Sequence, residues 1–292
     1  MKQERRKWMG FLKLIGVVLF LWILSRIDLQ EAWHHLRASN GKLLLASLLP
    51  LFGTYLTKAW RWHVLTQIAG LHVPLGDSWR IYMIGAFLGN LTPAKIGELG
   101  RIAYLKEAGM HGWTALALSI LDRLLDVIAM GLIGIAAAYT LFGTTWFLLC
   151  LVIALVISAI SLHFWRKFRW IRTFIPPLSF LHRIFLSRTF LDLTFATLLS
   201  WVLYFAWAVT LARSIGIATP LPPLIAAFVI TGILSLLPIA PAGLGTRDAS
   251  LLVLLAPFGV RPALAVSLSF LMFLSILASS LLGGWYLLKN HR

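Results

Sequence analysis

The feature that most constrains this chain is a series of long apolar runs, which leave no room for an ordinary water-soluble domain. A bilayer-spanning helix needs roughly 17–25 mostly apolar residues, and runs of that kind fall at 9–25, 43–60, 113–138, 146–164, 192–212 and 263–288. Only 12% of the 292 residues are charged, against about 25% in an average soluble domain. The sequence therefore predicts an all-α polytopic integral membrane protein. It is read as one transmembrane domain, 1–292, with halves at 1–140 and 141–292.

Two apolar stretches do not fit a simple span. IYMIGAFLGNLTPAKIGELG at 81–100 loses its apolar character after about a dozen residues, a length better suited to a re-entrant segment than to a crossing. LIAAFVITGILSLLPIAPAGLGTRDASLLVLLAPFGV at 224–260 is broken in the middle by proline and glycine. The positive-inside rule then constrains the path. Lys2, Arg5, Arg6 and Lys7 place the N-terminus in the cytoplasm, and 166–188, which has six arginines and lysines and no acid, belongs on the same side. A full span at 81–92 would contradict both. The conflict disappears if 81–100 enters from the cytoplasm and returns, and if 224–260 does the same from outside, which leaves the C-terminal KNHR inside. The alternative reads 224–240 and 249–260 as two full spans, the second short and interrupted by Pro257. The hairpin reading predicts about six or seven spanning helices and two re-entrant hairpins. PAKIG at 93–97 and PAGLG at 241–245 echo one another, as an inverted repeat would.

The formal charge of +16 arises from basic residues between apolar runs. It points to anionic lipid headgroups, with no nucleic-acid partner expected. Cys150 is the single cysteine, so a thiolate metal cluster is excluded. The histidines are scattered, and no nucleotide-binding glycine loop, zinc motif or serine elbow occurs. No cofactor, metal or catalytic residue is expected.

Ionisable side chains inside apolar segments are costly, and they pair or line wet cavities. Glu98 and Arg101 are three residues apart and share a helical face. Pro93 breaks or starts that helix, while Gly97 and Gly100 permit close backbone approach. Arg101 and Lys95 suit a phosphate, with Glu98 orienting Arg101; a loop ion pair would use the same residues. Asn90 is placed to satisfy freed backbone groups. In ALSILDRLLD, Asp122 and Asp126 share a face and Arg123 reaches Asp126 at i+3, as either a clamp between helices or part of a substrate path. In PIAPAGLGTRDAS, Pro241, Gly243 and Gly245 set a turn. Thr246 or Asp248 could cap the following helix, and Arg247 supplies a charge there.

With these motifs in place, the chain resembles the flippase-like transmembrane family related to the membrane domain of lysylphosphatidylglycerol synthase. NLTPAKIGELGR matches the family's Asn-x-x-Pro-x-x-x-Gly-Glu-x-x-Arg at Asn90, Pro93, Gly97, Glu98 and Arg101. DRLLD matches Glu-Arg-x-x-Asp with Asp122 for the glutamate, and PAGLG matches Pro-Gly-Gly-x-Gly with Ala242 for one glycine. Where the family often has an acid two places after the last glycine, this chain has Arg247, with Asp248 one place later. The resemblance implies movement of anionic or aminoacylated phospholipids, or of polyprenyl-phosphate-linked lipids, between leaflets of a prokaryotic plasma membrane. The alternative, from another functional class, is a non-transporting membrane partner that presents lipid to a separate transferase. No aminoacyl-transferase domain is read here, so aminoacylation by this chain alone is not expected. A homo-oligomer is compatible with the resemblance.

Overall fold

The computed structural model describes residues 37, 39–92, 95–145, 147–149, 151–152, 155–156, 188–235 and 246–289. The predicted span at 9–25, most of that at 146–164, and Pro93, Cys150, Pro241, Gly243 and Gly245 lie outside them. Every regular element among the described residues is helical. These are α1 (Gly41–Ile68), α2 (Leu75–Asn90), a 3-10 turn (Ile96–Gly100), α3 (Arg101–Glu107) and α4 (Gly112–Phe142). After the second half begins come α5 (Arg188–Ser214), α6 (Leu221–Leu234), α7 (Thr246–Leu255), a 3-10 turn (Ala256–Phe258) and α8 (Pro262–Lys289).

Helices α1, α5 and α8 are long and apolar enough to cross a bilayer. Helix α4 is 31 residues long, about 45 Å at 1.5 Å per residue, and its apolar run is interrupted by Asp122, Arg123 and Asp126. The exposed faces are apolar where a lipid-facing surface requires it, with Leu45 and Leu49 on α1, Leu132 on α4, Leu191 and Val202 on α5 and Leu288 on α8. The molecule is an all-α polytopic membrane protein. Helix α1 runs two turns past the predicted end at residue 60, because Arg61 is neutralised inside the protein instead of marking a water boundary.

Helix α2 ends at Asn90, and the chain reverses immediately. Lys95 takes a left-handed conformation (φ 55°). The Thr92 hydroxyl accepts a hydrogen bond from the Gly97 amide at 2.7 Å and donates to the Leu88 carbonyl at 3.0 Å. The returning limb then lies against α2 with almost no space between backbones. A β-carbon on Gly97 would overlap the Leu88 carbonyl, and one on Gly100 would stand 2.8 Å from Leu88 Cδ1. The Glu98 and Arg101 side chains fill the space that side chains at Gly89 and Gly85 would occupy. The glycines at 85 and 89, one helical turn apart, thus form the groove in which the charged limb rests.

Helices α6 and α7 pack on each other on either side of 236–245. The long contacts follow a pattern: α1 packs along α5, α2 packs on α8, and α6 packs on α4. Small residues permit each of the last two. A β-carbon on Gly283 would overlap the Met83 carbonyl, and one on Gly134 would stand 3.1 Å from Ile233 Cδ1, consistent with close helix approach at glycine inside membranes. The main core gathers Trp62 and Leu65 of α1, Met83 of α2, Leu118 of α4, Trp207 and Leu211 of α5, Phe228 of α6, Leu251 of α7 and Leu268 of α8.

Candidate functional site: an alternating chain of buried charges

Lys58 and Arg61 lie three residues apart on α1, and Asp122 and Asp126 lie four apart on α4, so each pair presents one face to the other helix. Arg61 is fully buried and donates from Nε to Asp122 Oδ1 at 2.9 Å and from Nη1 to Asp126 Oδ1 at 2.9 Å. It also donates to Thr197 Oγ1 at 3.2 Å and to the Asp122 carbonyl at 3.2 Å. A buried guanidinium is tolerated when its donors are taken in this way.

The second oxygen of each aspartate serves another cation. Lys58 Nζ meets Asp126 Oδ2 at 2.8 Å and lies 5.5 Å from the centre of the Trp201 ring. Arg101 Nη1 meets Asp122 Oδ2 at 3.1 Å, while its Nη2 meets Glu98 Oε2 at 2.7 Å and its Nε donates to the Glu98 carbonyl at 3.2 Å. The Arg101 guanidinium is also stacked 4.4 Å from the Trp62 ring centre and 5.3 Å from that of Tyr82, a favourable cation–π arrangement. The remaining oxygen of Glu98 pairs with Arg123.

The result is one unbranched alternation: Lys58, Asp126, Arg61, Asp122, Arg101, Glu98, Arg123. Each carboxylate holds two cations, and both ends of the chain are cationic. Exposure follows the same order. The side chains of Arg61 and Arg101 are 0% and 1% exposed, whereas those at the ends, Lys58 and Arg123, are 20% and 31% exposed.

Both ends line one cavity of about 190 Å³. Its walls also carry Lys95 from the reversal, Asn90 from the end of α2, Arg247 from α7, and an aromatic side formed by Tyr55, Trp201 and Tyr204. The structure thus brings together Asn90, Lys95, Glu98, Asp122, Arg123, Asp126 and Arg247, with Arg101 directly behind Glu98 and Asp122. Gly97 shapes the limb from which Glu98 projects, and Asp248, partly buried on α7, does not line the cavity.

Three assignments differ from the sequence reading. Arg123 pairs with Glu98 and not with Asp126, because Asp126 is held by Arg61 and Lys58. Thr92, not Asn90, satisfies the backbone freed at the reversal. Lys58 and Arg61, absent from the predicted site, hold the two aspartates; their signal was TYLTKAWRWH, two bases at i,i+3 spacing beside Trp60 and Trp62 at an apolar helix end. Among the described residues, no three His, Cys, Asp or Glu side chains gather to hold a metal ion.

Residues 11–284 match the lysylphosphatidylglycerol synthase TM region. The chain is also similar to the UPF0104 membrane protein PH1989 of Pyrococcus horikoshii, with 30% identity over 153 residues, covering 51% of this chain and 45% of that protein. The matched segment thus spans about half the length of this curated relative. The match over nearly the whole sequence, together with the helical membrane fold, shows that the chain belongs to the lysylphosphatidylglycerol synthase transmembrane-region family.

Proposed function

We propose that the protein moves the headgroup of an anionic or aminoacylated phospholipid, or of a polyprenyl-phosphate-linked lipid, between leaflets while the acyl or prenyl chains stay in the bilayer. The observation that carries this reading is the cavity into which both cationic ends of the charge chain open. Charges inside a membrane protein are expensive and mark substrate paths. Here the paired carboxylates hold the basic side chains in position before a headgroup arrives, which lowers the cost of ordering them on binding.

In this reading the reversal after α2 is a re-entrant hairpin from the cytoplasmic side, and α6 with α7 form its counterpart from outside. The packing of α2 on α8 and of α6 on α4 is the exchange expected of two inverted repeats, an architecture that places substrate sites near the midplane. The membrane is the plasma membrane of a prokaryote, with both termini cytoplasmic. A second reading draws on the family's link to a synthase: the same cavity presents lipid to a separate transferase without moving it.

Liposomes containing only this protein and headgroup-labelled lipids separate the two. Translocation predicts headgroup movement faster than in empty vesicles, and loss of the excess rate in Arg123→Gln. Movement of every tested lipid at the empty-vesicle rate would leave presentation as the reading.

A further inference from the structure

We infer that the cavity selects a headgroup bearing phosphate and no amine, held directly by Lys58 and Arg123, and that it rejects aminoacylated headgroups. This rests on the reading that the cavity is the lipid site, and it narrows the substrate class.

The argument follows from which charges in the alternation are already engaged. Among the described residues, the cavity's carboxylates are Glu98, Asp122 and Asp126, and each contacts two cations. An incoming ammonium group would have to displace Arg61, Arg101, Lys58 or Arg123 from a carboxylate. Displacing either of the first two would strand a guanidinium that is at most 1% exposed, and an unpaired buried charge is strongly unfavourable.

An anion meets the opposite situation. Among the described residues, Lys58 and Arg123 each pair with one carboxylate, and both line the cavity. Four cations against three carboxylates leave one positive charge in excess, and Lys95 and Arg247 add to the potential of the same cavity. The negative charge of a phosphate ester offsets that excess. Rejection of amines then comes from repulsion by the surplus cations and from the lack of a carboxylate not already paired, so discrimination has both an attractive and a repulsive part. The aromatic side offers apolar and hydroxyl surface to the uncharged part of a headgroup, such as glycerol.

The test is lipid retention by the purified full-length protein in native mass spectrometry, with phosphatidylglycerol, lysylphosphatidylglycerol and phosphatidylethanolamine as equimolar probes of matched acyl chains. Phosphatidylglycerol is expected to be retained over each amine-bearing lipid by about tenfold or more. Lys58→Gln and Arg123→Gln should each bring that ratio close to one, while Lys58→Arg should keep it. Retention of lysylphosphatidylglycerol equal to or above that of phosphatidylglycerol overturns the inference, and so does a preference that survives in both glutamine variants. If Arg123→Gln does not fold, the contrast between Lys58→Gln and Lys58→Arg decides alone. Selective retention without lipid movement in liposomes would remove translocation and leave the anion seat standing. Movement of lipids without selective retention would do the reverse.

Discussion

Asp122 holds two guanidiniums at once, Arg61 through Oδ1 and Arg101 through Oδ2, and all three residues are almost closed to solvent. Replacing it with Asn leaves two buried cations sharing a neutral amide. Breaking a buried ion pair on one side costs about 3–5 kcal/mol, so Asp122→Asn should unfold at a clearly lower temperature in detergent. Arg123→Gln, at the partly exposed end of the chain, should change stability by no more than about 1 kcal/mol. Equal melting temperatures for the two variants would mean that position in the chain carries no structural weight. Glu98, Arg101, Asp122, Arg123 and Asp126 were legible in the sequence because charge stood out against apolar surroundings. Lys58 and Arg61 were not, since a base after an apolar run ordinarily marks the water boundary. The partner of Arg123 was hidden for a different reason: spacing along one helix favours Asp126, and only the fold shows that Asp126 is taken by another helix.

At the scale of elements, four predicted spans lie within a few residues of α1, α4, α5 and α8, apart from the extension of α1 to Ile68. Apolar length was enough to locate them. The reversal after α2 depended on subtler chemistry, since it requires a hydroxyl at 92, a left-handed residue at 95 and an absent side chain at 97. Gly97→Ala should therefore destabilise the protein by about 1–3 kcal/mol, because the new methyl meets a backbone carbonyl that cannot swing aside. Gly131 in α4 is the control: a β-carbon there meets nothing within 4 Å, so Gly131→Ala should be neutral or stabilise by roughly 0.5–1 kcal/mol through helix propensity. Thermal unfolding of the two variants reads both effects. A Gly97→Ala protein as stable as Gly131→Ala would show that the limb does not need its close approach to α2.

For the whole molecule, the proposed inverted repeat makes a claim about sidedness that helix packing alone does not. Under exchange of the halves, α1 pairs with α5, α2 with α6, α3 with α7 and α4 with α8. The contacts follow that exchange: α2 on α8 mirrors α6 on α4, and α3 on α4 mirrors α7 on α8. Parallel repeats could produce the same contacts, but only inverted ones put the turns before α4 and α8 on opposite sides of the bilayer. Ala108, before α4, and Ala256, before α8, are both exposed, so each accepts a cysteine in a Cys150→Ser background. A membrane-impermeant maleimide should label Ala256→Cys in intact cells and Ala108→Cys only after permeabilisation. The opposite assignment would reverse the orientation while preserving the inverted relation. Labelling of both positions from one side would end it, and with it the physical basis for a headgroup site reached alternately from the two leaflets.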